Sequence, residues 1–283
     1  MSNASVFEYY NEAPEKELAR TSCSPYAEVE FQVVQTLLRK YLQDGARVLD
    51  LGAGPGIHAI ELARRGCAVG LADLAPRCLA LAQERFEAAG LSQLVIERRA
   101  ISAVDYKNDT GVPYDAALLF GPLYHLPNPS DRRQALNRAV ASVRPGGLIF
   151  AIFIGRWAIL KDLVKSARLG TIERLLASGH LDHGIYSPVD RVEDDGPFDY
   201  MPTTHASSLD DARRLFEAER LEVLEVVSCE SFLAFMAPYI NGADLTQEQL
   251  RRLTEIAIRT SSAQELAHGA DHFLLVGRTP NER

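Results

Sequence analysis

The chain has 283 residues, 47% of them hydrophobic, enough for one large domain or one domain with a sizeable insertion. Its 30 lysines and arginines face 38 aspartates and glutamates, a net charge of −8 without a block of like positive charge; this argues against a nucleic-acid backbone as the main partner and favours a small molecule. Cys23, Cys67, Cys78 and Cys229 are scattered without paired spacing and read as reduced thiols, not as a disulfide framework or zinc ribbon. Glu8, Glu12 and Glu15 stand where a secretory leader needs apolar residues, and the strongest apolar run, Leu148 to Ile154, is too short to span a bilayer, so the expectation is a cytoplasmic protein.

The first twenty-five residues mix aromatics and charges and end at Ser24-Pro25-Tyr26. From Ala27 to Gln43, Phe31, Val34, Leu37, Leu38, Tyr41 and Leu42 recur at helical spacing, and Asp44-Gly45 stops the helix. Strand 47–51 then runs through Asp50 into Gly52-Ala53-Gly54-Pro55-Gly56, which opens helix 56–65, and strand 68–72 ends at Asp73. Glycines at such a turn let a ligand lie against the main chain at a helix N-terminus, and a carboxylate ending the next strand is placed to take a ribose diol. The glycine order is G-x-G-x-G; the dinucleotide fingerprint G-x-G-x-x-G would need glycine at Ile57.

Helix 76–89, strand 94–98, strand 115–120, helix 130–143 and strand 147–154 continue the alternation, which predicts a parallel sheet with helices on both faces. After Gly155 the rhythm breaks. Residues 156–178 read as helical, 180–207 as a long segment rich in Asp, Gly, Pro and His, 208–219 as a helix, 221–228 as a strand, 232–266 as about two helices and 272–278 as a closing strand. The predicted division is a helical cap (1–43), a nucleoside-binding core (44–155), a substrate cover (156–207) and a C-terminal part of the core (208–283) with a helical insertion at 232–266. The acidic residues Asp190, Glu193, Asp194, Asp195 and Asp199 lack the alternation and terminal glutamate of a calcium loop and read as a solvated mobile lid.

The run from Asp50 through Gly56, with Asp73, resembles motif I of the class I S-adenosylmethionine-dependent methyltransferases. Gly121-Pro122-Leu123-Tyr124-His125-Leu126, with Arg144-Pro145-Gly146-Gly147 and the final strand, resembles a bacterial small-molecule subgroup marked by a G-P-L-Y-H-L segment. The resemblance implies an α/β fold: a Rossmann-like, seven-stranded, mostly parallel sheet under a helical and loop cover, with S-adenosylmethionine as cofactor. In that reading Asp50 and the backbone at Gly52, Ala53, Gly54 and Gly56 hold the methionine half and Asp73 the ribose. Leu74, Ala100 and Ile101 flank the adenine, Phe120 and Gly121 face the methyl group, and Tyr26, with Tyr9 and Tyr10, closes over the cofactor. The family places an acid after the third strand, and here Arg99-Ala100-Ile101 stands instead.

Tyr124 and His125, just past the fourth strand, fall in the same crevice; His125 is the candidate base, or else only anchors its loop. Arg156, past the fifth strand, is a candidate clamp for a carboxylate substrate, or else an ordinary ion-paired arginine. The resemblance extends to enzymes that methylate the β-carbon of 2-oxo acids, some of which hold a metal through histidines. Here His180, His183, His205 and His272, with His268, are the candidate ligands of a divalent metal acting as a Lewis acid, though no short metal motif joins them. The reading leaves open a homodimer. Two other functions stay open: an NAD(P)-dependent oxidoreductase, and a non-catalytic module that keeps the cofactor fold.

Overall fold

A computed structural model describes residues 2–192, 195 and 202–281, with side chains from residue 5 onward. The sheet is built from β1 (Arg47–Leu51), β2 (Ala68–Asp73), β3 (Val95–Ala100), β4 (Tyr114–Leu119), β5 (Val143–Gly155), β8 (Glu222–Ser228) and β9 (His272–Arg278). Its order is β3-β2-β1-β4-β5-β9-β8, parallel except for β9, which lies antiparallel between β5 and β8. Seven strands and their mostly parallel direction were expected.

Side chains of the central strands alternate between two faces, each buried because helices cover both. On one face Val48, Val69, Leu71 and Leu118 pack against α3 (Pro25–Tyr41), α4 (Ile57–Arg64), α5 (Pro76–Ala88) and α12 (Gln247–Thr260). On the other, Leu49, Leu51, Ala117 and Leu119 meet α6 (Pro129–Ser142) and α10 (Leu209–Ala218). Ser24 caps α3 by accepting from the Ala27 N–H, with Pro25 at the first helical position.

Other elements were anticipated only in part. The mixed N-terminal stretch forms α1 (Ser2–Glu12) and α2 (Pro14–Ala19). The expected helix 156–178 is two, α7 (Ala158–Lys165) and α8 (Leu169–Ala177), because the chain turns at Ala167 with φ 55°. The insertion 232–266 holds three helices, with α11 (Ala237–Gly242) and α13 (Gln264–His268) beside α12.

The cover also adds α9 (His180–His183) and two short strands, β6 (Ile185–Tyr186) and β7 (Thr204–Ser207). Strand β7 pairs in parallel with Ile154 and Gly155. Since β9 already occupies one edge of β5 at Ile154, β7 takes the edge that β4 leaves at Leu119. Of the acidic run read as a lid, Glu193, Asp194 and Asp199 lie outside the described residues, whereas Asp195 accepts the Gly170 and Thr171 N–H groups. No helix among the described residues is long and apolar enough to cross a membrane. The four cysteines are free thiols, three of them buried.

Candidate active site

The cleft lies beyond the carboxyl ends of β1, β2, β3 and β4, where the chain order reverses between β1 and β4. It encloses about 950 Å³ of space open to solvent. Asp50, Gly52, Ala53, Gly54 and Pro55 line it after β1, Asp73, Leu74 and Ala75 after β2, Ile101, Ser102 and Ala103 after β3, and Phe120, Gly121, Tyr124 and His125 after β4. The rim comes from the N-terminal helices: Val6, Tyr10, Glu17 and Arg20.

The glycines act by shape. Gly52, Gly54 and Gly56 have φ of 88°, 52° and 72°, and a Cβ on Gly52 would meet Pro122 Cδ at 2.7 Å. Their amides, however, are spent inside the fold. The Gly52 and Ala53 N–H groups donate to the Ala72 carbonyl at 2.7 and 3.1 Å, Gly54 N–H to Asp73 Oδ2 at 2.7 Å, and Gly56 N–H to the Ala53 carbonyl at 2.9 Å. The expectation that these amides grip the ligand is therefore corrected. Gly56 also lies outside the cleft, where its bare Cα lets α5 approach through Ala82 and Phe86.

Asp73 accepts from Gly54 N–H and, at 2.8 Å, from Ala75 N–H, which fixes its carboxylate at the cleft wall with lone pairs left over. Asp50 is 3% exposed, and burial together with the Asp73 charge pushes its carboxyl up to about 7.

His125 closes a short 3-10 turn after β4 and is 5% exposed. Its Nε2 lies 2.7 Å from Tyr10 Oη, and Tyr124, whose hydroxyl donates to the Phe120 carbonyl, packs edge-on against the imidazole at 4.7 Å. Burial lowers the His125 pKa to about 4, and burial raises that of the Tyr10 phenol. At neutral pH a protonated phenol thus meets a neutral imidazole, and the ring tautomer sets the direction of the bond between them. His58, also on the wall, is held by Gln35 at 2.9 Å and stacks edge-on with Phe120.

Several expected site residues lie elsewhere. Tyr26 donates to Asp271 Oδ2 at 2.6 Å and does not reach the cleft, since that buried carboxylate offers its hydroxyl a fixed acceptor. Ala100 ends β3 on its exposed side, and the chain enters the cleft only from Ile101; Arg99 faces away, over Tyr106 and paired with Glu97 and Asp109.

Arg156 is no substrate clamp. Its guanidinium, 9% exposed, donates to the carbonyls of Ala206, Leu181 and Asp182 and to Asp211, tying the cover to β5. With Asp211 partly in water, the expected cost of Arg156→Ala is about 2–3 kcal/mol of stability. Urea unfolding should show that loss, with turnover per folded molecule unchanged; a substrate clamp would instead leave stability intact and lower kcat/KM for the acceptor.

The histidines do not assemble either. His180 Nδ1 is bound to the Ile185 carbonyl, His183 to the Ser178 carbonyl and the Ile185 N–H, and His205 to Ser207, all around the Arg156 cation, which opposes a metal there. His268 is exposed at the end of α13, and His272 sits apart, against Glu230.

Sequence reasoning missed Arg20, Glu17 and Ser102. Arg20 is the only arginine or lysine among the described residues lining the cleft, and it is shared by Glu17 at 3.0 Å and Glu30 at 3.6 Å. The spacing of Glu17 and Arg20 on one helix face was its only available signal.

Residues 48–147 match the model of a family described as Methyltransferase domain. Residues 48–147 are a class I S-adenosylmethionine-dependent methyltransferase domain. A ubiquinone biosynthesis O-methyltransferase from Leptothrix cholodnii is 35% identical over 113 residues, 40% of this chain and 46% of that protein, so the chain spans less than half the length of this relative. Among solved structures, an S-adenosylmethionine-dependent methyltransferase from Methanosarcina mazei superposes with a TM-score of 0.56 at 18% identity over 87% of this chain and 98% of that one. The 1,6-didemethyltoxoflavin-N1-methyltransferase of Burkholderia thailandensis, solved with S-adenosylhomocysteine, gives 0.55 at 14% identity over 98% and 87%. These distant likenesses establish the fold. The cofactor of a methyltransferase domain of this class is S-adenosylmethionine, and the cleft fits it: a carboxylate for a diol, an apolar end at Leu74 and Ile101, and a buried Asp50 whose charge a cationic ligand would offset.

Proposed function

We propose that this chain transfers the methyl group of S-adenosylmethionine to a small molecule bound beneath the N-terminal helices. One observation carries the reading: Asp50, Asp73 and the residues after β4 open into a single cleft that α1 and α2 roof over. The bound cofactor supplies an already activated methyl electrophile, so the protein's task is alignment and exclusion of water. Asp73 holds the ribose, Leu74, Ile101 and Ser102 surround the adenine, and Asp50 faces the charged methionine end, whose carboxylate Arg20 is placed to take. Phe120, Gly121 and Tyr124 shape the space beside the methyl group, and His125 with Tyr10 receives the acceptor's proton.

Methylation of a 2-oxo acid at carbon is the narrower form of the proposal. Its support is the neutral imidazole of His125 in the same cleft, able to take a proton from carbon. The test is transfer of labelled methyl from S-adenosylmethionine to a panel of 2-oxo acids, phenols and amines, with calorimetry against S-adenosylhomocysteine and NAD. Binding of NAD in place of S-adenosylhomocysteine would sink the whole reading; methylation of phenols alone would sink only the narrower one.

Asp50 also gives a pH dependence. Its raised pKa, about 7 in the free protein, means that below pH 7 a cationic ligand must displace a proton from it. Affinity for S-adenosylhomocysteine is expected to rise with pH through 7 and level off above, about tenfold tighter at pH 8 than at pH 6. Calorimetry in two buffers of different ionisation enthalpy checks this, and a flat profile would remove Asp50 as the charge partner.

A further inference from the structure

We propose that Glu30, Glu230 and His272 form a divalent-cation site behind the wall of the cleft. One potential ligand atom from each lies within 4.8 Å of the others. They come from three elements, α3, the turn after β8 and the first residue of β9, and the Cys229 N–H bond to the His272 carbonyl fixes the last two together.

Glu230 is fully buried. Its Oε1 accepts both the backbone N–H of His272 at 2.8 Å and His272 Nδ1 at 2.9 Å, while its Oε2, also buried, has no hydrogen-bond partner among the described residues. A carboxylate oxygen withdrawn from water without a partner is costly, and a cation is the group that relieves it. Glu30 brings a second carboxylate to 3.6 Å from the same imidazole nitrogen. The neighbouring Asp271 is not available as a further ligand, being taken by Lys161 and Tyr26.

Two carboxylates and one imidazole balance a double positive charge once the cation displaces the proton that His272 Nδ1 donates to Glu230, which is released to solvent. Their mixed oxygen and nitrogen donors suit Mn²⁺, Fe²⁺ or Zn²⁺, and not the all-oxygen cations or the soft monovalent ones. Glu30 also pairs with Arg20, which lines the cleft, so the cation would sit one side chain behind the space assigned to the methionine end of the cofactor. Any part it plays beside the cofactor rests on the methyl-transfer reading; the site itself does not.

The test uses the untagged chain, stripped with EDTA and titrated with MnCl₂. One equivalent should bind, and the electron-spin-echo spectrum should carry the nitrogen modulation of one coordinated imidazole. Glu230→Gln should weaken Mn²⁺ by roughly 100-fold or more while leaving affinity for S-adenosylhomocysteine unchanged. Absence of a stoichiometric Mn²⁺, absence of nitrogen modulation in the unmodified protein, or Mn²⁺ affinity untouched by Glu230→Gln would each overturn the site. Mn²⁺ binding without S-adenosylhomocysteine binding would leave the cation site standing and remove the methyl-transfer reading; the converse result would do the opposite.

Discussion

Replacing Asp73 by alanine is expected to lower affinity for S-adenosylhomocysteine roughly 100-fold, a loss of about 3 kcal/mol. Bonds from a ribose diol to a carboxylate are charge-assisted, stronger than bonds between neutral groups. The same carboxylate also holds the turn, accepting from Gly54 and Ala75 N–H groups, so the variant should unfold at lower urea as well. Asp73→Asn tests the carboxylate at constant volume: its amide keeps one acceptor oxygen but turns an NH₂ toward a backbone N–H, so it too should lose both binding and turn stability. Calorimetry on the two variants decides the matter. Affinity within threefold of the parent in both would move the ribose away from β2 and dismantle the assignment of the cleft.

The second large effect belongs to the Tyr10 and His125 pair. His125→Ala is expected to reduce turnover about 10²–10³-fold with S-adenosylhomocysteine affinity nearly unchanged. Tyr10→Phe should reduce it too, because Nε2 of His125 is engaged by the Tyr10 hydroxyl and a proton leaving the acceptor reaches that nitrogen through Tyr10 or after displacing it. If the two work as one unit, the double variant should be no slower than the worse single variant. The pH profile gives an independent sign. Burial lowers His125 to about 4, so its basic form persists as pH falls from 8 to 5, and with S-adenosylmethionine saturating, which removes the Asp50 effect, the acid limb of kcat/KM for the acceptor should lie near pH 4 instead of near 6.5. Turnover that survives His125→Ala would leave the histidine as an anchor for its loop.

The same two sites show where sequence reading succeeds and where it stops. Asp50, Gly52, Gly54 and Asp73 were legible because strand, tight turn, helix and next strand are consecutive, and positive φ at a turn demands glycine whatever lies far away in the chain. What their backbone donors do was not legible. The nearest acceptors, the Ala72 carbonyl and the Asp73 carboxylate, belong to the neighbouring strand, and only pairing of β1 with β2 brings them in reach.

Arg156 shows the same limit from the other side. Its place at the end of β5 was read correctly, but a guanidinium goes to whichever acceptors the fold supplies, and β7, α9 and α10, all twenty-five or more residues away, supply four between them. Tyr26 is drawn off by Asp271 in the same manner, 245 positions along the chain.

By itself, then, the sequence determined the alternation of strands and helices, the seven-stranded sheet and the turn that opens the cleft, because apolar periodicity and glycine conformations are local properties. Tertiary structure alone decided that α1 and α2 roof the cleft with Tyr10 and Arg20, that β9 lies between β5 and β8, and that His272 meets two glutamates and not three histidines. Each of those outcomes depends on groups far apart in the chain finding one another, backbone edges in the case of β9 and polar side chains in the others, and buried polar groups take the partner that packing provides.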